Sequence, residues 1–157
     1  MGIEIERKFL VADDRWRDDV RSSRRIAQGY ISTEPERTVR VRLTEQTGLL
    51  TIKGRAEQLV RAEYEYEIPA DEARQLLDDF CSPHPIEKVR HEVEVGDHLW
   101  EIDVFEGANE GLVLAEVELQ SPDESFEPPP WIGNEVTGEV RYYNSRLVDN
   151  PVAQWED

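Results

Sequence analysis

The chain has 157 residues, carrying 35 acidic against 18 basic side chains for a formal net charge of −17. Charge of that sign and size repels phosphate backbones and acidic lipid, so generic binding to nucleic acid or to a membrane surface is excluded, while a small polyanion held in a local basic pocket is not. The length suits one domain, the single Cys81 excludes an internal disulfide, and no apolar run is long enough to cross a bilayer. There is no cationic, apolar leader, and Glu6 stands where a myristoylation signal needs Ser or Thr, so a cytoplasmic location is expected. Hydrophobic residues make up only 38% and the mean hydropathy is −0.66, but the apolar positions are periodic, which argues for a folded chain.

The first stretch, Ile3-Glu4-Ile5-Glu6-Arg7-Lys8-Phe9-Leu10-Val11, alternates Glu4, Glu6 and Lys8 against Ile3, Ile5 and Phe9, the period of a half-buried strand. Carboxylates two residues apart on a strand stand about 6.5–7 Å from one another, so both reach one divalent cation or each takes one of a pair. Lys8, one step further, is then placed to hold an anion bound to that metal. Ala12-Asp13-Asp14 predicts a helix entry with either aspartate as N-cap and Trp16 and Val20 on one face. Strands follow over residues 26–32, 38–44, 49–54 and 60–68, with turns around Glu34-Pro35-Glu36 and Thr47-Gly48. Pro69-Ala70-Asp71 opens a helix to about Cys81 with Ala73, Leu76, Leu77 and Phe80 as its apolar stripe, closed by Ser82-Pro83-His84-Pro85. Strands over 87–95 and 99–105 flank the Gly96-Asp97 hairpin turn, and an eighth strand covers 112–119. Pro128-Pro129-Pro130-Trp131 is a stiff connector, a short helix is predicted over about Arg141 to Val148, and Pro151 to Asp157 should be loose, outside a single domain of residues 1–150. Cys81 is expected to be a small buried apolar side chain, and His84, His91 and His98 surface or packing residues. About eight short strands joined mostly as hairpins, with two or three helices, fit an antiparallel sandwich or barrel, and the pattern leaves both open.

The charged faces carry the chemistry. Acids recur at i, i+2 as Glu4/Glu6, Glu63/Glu65, Glu101/Asp103 and Glu116/Glu118; bases recur as Arg40/Arg42 and Lys88/Arg90, with Lys8 and Lys53 single. On any one strand a solvated charged face is the plainer reading. The same-sign pairs argue otherwise, because a like pair is unfavourable unless an opposite charge sits between its members. A hard divalent cation such as Mg²⁺ or Mn²⁺ answers the acids and phosphate answers the bases, with arginine suited to bidentate capture and lysine acting as a point charge. A closed barrel would turn these faces inward.

Glu4-Ile5-Glu6-Arg7-Lys8 resembles the ExExK signature of the CYTH superfamily, the triphosphate tunnel metalloenzymes. The likeness continues in order through Gln28-Gly29-Tyr30, Val39-Arg40-Val41-Arg42, Thr51-Ile52-Lys53, Glu63-Tyr64-Glu65, Glu87-Lys88-Val89-Arg90, Glu101-Ile102-Asp103-Val104-Phe105, Glu116-Val117-Glu118 and Val136 to Tyr142. It is most similar to the compact bacterial members that hydrolyse inorganic tripolyphosphate. The resemblance implies a mainly β (α+β) fold: an eight-stranded antiparallel barrel with a polar bore, flanking helices and a C-terminal helix. It implies metal held by Glu4, Glu6, Glu116 and Glu118 with Asp103 assisting, as two Mg²⁺ or Mn²⁺ ions. Lys8, Arg40, Arg42, Lys53, Lys88, Arg90 and Arg141 would bind the triphosphate, Glu63, Glu65 and Glu101 would support, and Glu4, Glu6, Lys8 and Lys88 would form the catalytic set. Val140 stands where related sequences often carry Lys or Pro before the Arg141-Tyr142 pair. Adenylate cyclase or thiamine triphosphatase activity in the same tunnel, and a polyphosphate-binding module without catalysis, are the alternatives. The expected partner is a triphosphate-containing small molecule, bound by a monomer or homodimer.

Overall fold

The computed structural model describes residues 2–82 and 84–156; Pro83 of the predicted loop and Asp157 of the predicted tail lie outside the described residues. Nine strands form one antiparallel sheet: β1 (Gly2–Val11), β2 (Val20–Glu34), β3 (Arg37–Leu43), β4 (Gly48–Lys53), β5 (Val60–Ile68), β6 (Ile86–Val95), β7 (His98–Phe105), β8 (Val113–Glu118) and β9 (Ile132–Glu135). Their order is β5-β4-β3-β2-β6-β7-β8-β1-β9, and a further pairing of β5 with β1 closes the first eight into a barrel. The closure divides β1: residues 2–5 pair with β5 along one edge, and β9 meets that edge further on, opposite Phe9 and Val11.

Helix α1 (Ala70–Asp79) lies against β3 and β4, at the position predicted from its apolar stripe. Two glycines permit that close approach. A Cβ on Gly48 would stand 2.6 Å from the Ala73 Cβ and 2.9 Å from Ile68 Cγ1, and one on Gly29 would stand 2.9 Å from the Cys81 Cβ. Gly48→Ala should therefore lower stability by about 1–3 kcal/mol in urea denaturation, the usual range for an overpacked core. Gly54→Ala, where the nearest atom is 3.8 Å away, should stay within about 0.5 kcal/mol.

Two apolar clusters flank the bore. On the outer face of β1, β6, β7 and β8, Phe9, Val93, Trp100, Ile102, Ala115 and Val117 are covered by Trp16 and Trp131. At one end, Tyr30, Ile86, Phe105, Leu112 and Leu114 receive Tyr142, Leu147 and Val148 from the C-terminal segment.

Four local expectations need correction. The helix predicted after Ala12 is a single 3-10 turn, Arg15–Asp19, and Val20 already belongs to β2; Asp13 makes an Asx-type bond from Arg15 N at 2.9 Å rather than capping a helix. Strand β2 starts six residues earlier than the apolar pattern indicates, because its first half is held by polar partners on β6, Ser22 Oγ to Glu92 at 2.7 Å and Ser23 Oγ with His91 Nδ1 at 2.6 Å. The tail is not loose over residues 151–156: Val152–Gln154 form a 3-10 turn, and the Trp155 ring meets that of Tyr142 edge-on with centroids 5.3 Å apart. The predicted C-terminal helix is a 3-10 turn, Val140–Tyr142, followed by the short α2 (Asn144–Leu147). No helix is long and apolar enough to cross a membrane among the described residues.

Candidate active site

Strand register dictates what enters the bore. Lys8 pairs with Glu116 and Glu6 with Glu118, so these four share the face opposite the outer apolar cluster. The same bookkeeping places Glu101 beside Glu116, Asp103 beside Arg90, Thr51 beside Arg40 and Glu65, and Lys53 beside Glu63. Around the ring, β4, β3 and β6 bring Lys53, Arg40, Arg42, Lys88 and Arg90, while β7, β8, β1 and β5 bring Glu101, Asp103, Glu116, Glu118, Glu4, Glu6, Glu63 and Glu65. The bore thus has a basic and an acidic wall, with Lys8 and Arg61 as cations on the acidic side. Except for Asp103, all these residues line one cavity of about 420 Å³.

Ion pairs mark the two seams. At one, Lys53 Nζ lies 2.8 Å from Glu4 Oε2 and 3.5 Å from Glu63; at the other, Arg90 holds both oxygens of Asp103 at 2.8 and 2.9 Å. Arg40 donates to Thr51 Oγ1 at 3.2 Å and stands 3.6 Å from Glu65, yet its buried Nε has no partner among the described residues. Burial, with Arg40 and Arg90 close by, pushes the Arg42 guanidinium down to about 9. Burial likewise takes Lys88 down to about 7 against the pull of Asp103.

The acids are equally strained. Burial raises Glu6 well above the ordinary carboxylate value, and the charges of Glu116 and Glu4 push it further. Burial also opposes ionisation of Glu116, but Lys8, the hydrogen bond with Glu6 and Arg90 hold it down at about 2. The two carboxyls titrate as a coupled pair, Glu6 pushed up and Glu116 held down. Burial disfavours the charge on Glu4, and Lys53 more than offsets it, so Glu4 lies below the ordinary range. Burial raises Glu118, helped by Glu4 and Glu101.

Oxygen donors crowded with like charge, with Glu4 buried, Glu6 and Glu116 half-buried and Glu118 exposed, are suited to a hard divalent cation. As placed, no three carboxylates converge on one point among the described residues, since Glu4 is held by Lys53; a cation would take Glu4 from that lysine.

Two predicted residues stand elsewhere. Asp103 does not line the cavity: it is buried behind the wall, held by Arg90 and by Lys88 Nζ at 2.7 Å, so its oxygens are already spent on two cations. Arg141 is exposed and stacks over Trp155 at 4.1 Å, because the 3-10 turn that buries Tyr142 points its neighbour outward. Among the described residues the aromatic side chains lining the cavity are Tyr30 and Tyr143; Tyr64 and Tyr66 are exposed and Trp131 lies in the outer cluster.

Charge sorting passed over Gln28, Thr38, Arg61, Thr137, Tyr143, Asn144 and Ser145, which also line the cavity. Arg61 was visible as a base next to Glu63 on β5, and its register partner is Glu4. The histidines take packing roles, with His91 stacked 5.0 Å from Trp16 and His98 bonded to Glu124 at 2.6 Å. Cys81 is half-buried, and burial pushes its thiol up to about 11.

The chain is 44% identical over the full length of both sequences to an inorganic triphosphatase of Acetivibrio thermocellus. It is 38% identical over 150 residues to one of Nitrosomonas europaea, covering 92% of this chain and 96% of that one. The crystal structure of the inorganic triphosphatase NE1496 superposes with a TM-score of 0.65 at 36% identity, over 92% of this chain and 97% of that one. A Hippeastrum protein, described as a putative adenylyl cyclase with a dominant triphosphatase activity, shares the fold at 15% identity with a TM-score of 0.55, over 78% of this chain and 81% of that one. The CYTH domain profile matches residues 2–146, and with these relatives it shows that the chain belongs to the CYTH family.

Proposed function

We propose that this protein hydrolyses inorganic triphosphate to phosphate and diphosphate, using Mg²⁺ or Mn²⁺. The observation that carries the reading is the division of one cavity into a basic wall and an acidic wall. A phosphate chain needs the first, and its counter-cations need the second. Relatives that match 92% or more of this chain are named inorganic triphosphatase.

In this reading Glu4, Glu6, Glu116 and Glu118 hold two cations, which when bound supply charge neutralisation and an acidified water. Lys8, Arg40, Arg42, Lys53, Lys88 and Arg90 grip the phosphates and stabilise charge on the leaving diphosphate. Arg40 offers an unpartnered Nε, and Arg42 meets no carboxylate within 4 Å among the described residues. Glu63 and Glu65 tether Lys53 and Arg40, so each cation is steered when phosphate displaces its carboxylate. With a cation held at Glu4, Lys53 would be free to contact the phosphates.

The test is phosphate release from tripolyphosphate, ATP, thiamine triphosphate and long-chain polyphosphate with each metal. Tripolyphosphate should be turned over fastest; preference for ATP or thiamine triphosphate moves the assignment within the family, and binding without release makes the protein a polyphosphate-binding module. Arg42→Ala should raise KM for tripolyphosphate about tenfold or more, the loss of a charge-assisted contact, while kcat changes less.

A further inference from the structure

Asn144, the first residue of α2, reaches across the fold into the basic wall. Its Oδ1 accepts from Lys88 Nζ at 3.0 Å and from Gln28 Nε2 at 3.2 Å, and the Gln28 Oε1 in turn accepts from Arg42 Nε at 3.0 Å. Two donors converging on one oxygen fix the amide's orientation. Lys88 and Gln28 are fully buried, so their donors have no water to fall back on. Most other cations of the cavity are held by acids, Lys53 by Glu4 and Glu63, Arg40 beside Glu65, and Arg90 by Asp103, which Lys88 shares at 2.7 Å; Lys88, Arg90 and Arg42 thus gather around one buried carboxylate.

We propose that Asn144 is a positioning residue whose neutrality sets the charge of the basic wall: it orients Lys88 directly and Arg42 through Gln28, while cancelling neither. A carboxylate at this point would accept the same two hydrogen bonds and add a second negative charge to the one Asp103 already sets between Lys88 and Arg90. An amide holds the geometry and leaves this part of the wall net positive for a polyanion. The inference rests on the triphosphatase reading for its substrate.

Charge and geometry separate in two variants. Asn144→Asp keeps an acceptor for both donors; Asn144→Ala removes it. A purely structural role predicts that the aspartate variant behaves like wild type and the alanine variant is worse. The charge role predicts the reverse order: Asn144→Asp should raise KM for tripolyphosphate about tenfold or more with a melting temperature near wild type, and Asn144→Ala about threefold with a melting temperature lowered by the loss of an acceptor for two buried donors. Gln28→Glu, which places a carboxylate against Arg42, should move KM in the same direction and covers the case in which Asn144→Asp does not fold. Wild-type KM in both acidic variants overturns the proposal. If the wild-type protein does not turn over tripolyphosphate, the hydrolase reading fails and calorimetric titration with tripolyphosphate in EDTA decides this one: weaker binding by Asn144→Asp supports it, and equal binding, or none by either, overturns it.

Discussion

Glu6→Gln should abolish turnover and yet raise the melting temperature of the metal-free protein. Glu6 is proposed to hold a cation, so its loss is expected to lower kcat by roughly 100-fold or more. In the metal-free state the same carboxyl opposes folding, because burial, Glu116 and Glu4 all disfavour its charge. A group whose folded pKa is raised contributes stability that is present below the unfolded value and lost as pH rises through the folded one. The relevant window opens at 4.5, the ordinary value for this carboxyl, and runs upward. Groups held low, such as Glu4 and Glu116, titrate below that window and do not mask it. Wild-type metal-free protein should therefore lose stability as pH climbs from about 4.5 toward 7, and Glu6→Gln should flatten that slope. Glutamine can donate to ionised Glu116, which retains the local contact and removes the charge. A gain of roughly 2–4 °C at pH 7 corresponds to about 1 kcal/mol in a domain of this size. Saturating Mg²⁺ should raise the wild-type melting temperature, by linkage of binding to folding, and should move the variant much less. Scanning calorimetry with and without EDTA reads all three. A variant that responds to Mg²⁺ as wild type does removes Glu6 from the metal set.

The walls were legible because strands alternate. Once Glu4, Glu6 and Lys8 are seen to share a face, and the same holds for Arg40 and Arg42 or Glu116 and Glu118, closing the sheet has only one sensible outcome for so much charge. Which charges neutralise one another was not legible, since that depends on register. The sequence order suggests same-sign pairs, but across strands Lys53 faces Glu63, Lys8 faces Glu116 and Arg90 faces Asp103. Asp103 thereby becomes a buried tie for two cations although it lies two residues from a cavity acid, Glu101. Arg141 failed for a different reason: its direction is set by a 3-10 turn with no periodic signal, and stacking on Trp155 rewards the outward rotamer. The Gln28–Asn144 link joins residues 116 positions apart through uncharged amides, which carry neither hydrophobic nor charge periodicity. Polar, aperiodic residues are where sequence reasoning loses the site. The early start of β2 is the same lesson at the level of the fold, since serine and arginine contacts to β6 hold it rather than apolar alternation.

Asp103→Ala should be the most destabilising single change in the cavity wall, for a reason opposite to that of Glu6. Asp103 is 1% exposed, and it answers two cations that are themselves buried, Arg90 through a bidentate pair and Lys88 at 2.7 Å. Removing it leaves Lys88 with Asn144 as its neutral acceptor and Arg90 with Glu101 and Glu116 at 3.4 and 3.5 Å. Breaking a buried pair from one side typically destabilises by 3–5 kcal/mol, so a fall of roughly 10 °C in melting temperature is expected here. Asp103 is held well below the usual carboxylate range, burial opposing its charge and Arg90 and Lys88 overriding that penalty. Its contribution is thus complete above the ordinary value of 3.8 and lost only as pH falls further, so the deficit of the variant should be constant between pH 5 and 7. The same variant separates a structural role from metal binding. If Asp103 were a ligand, the rise in melting temperature produced by Mg²⁺ would shrink with it; as a tie for the basic wall, it leaves that rise intact. Tripolyphosphate should then stabilise the variant more than wild type, because the two cations released from Asp103 have no better partner than the phosphate chain.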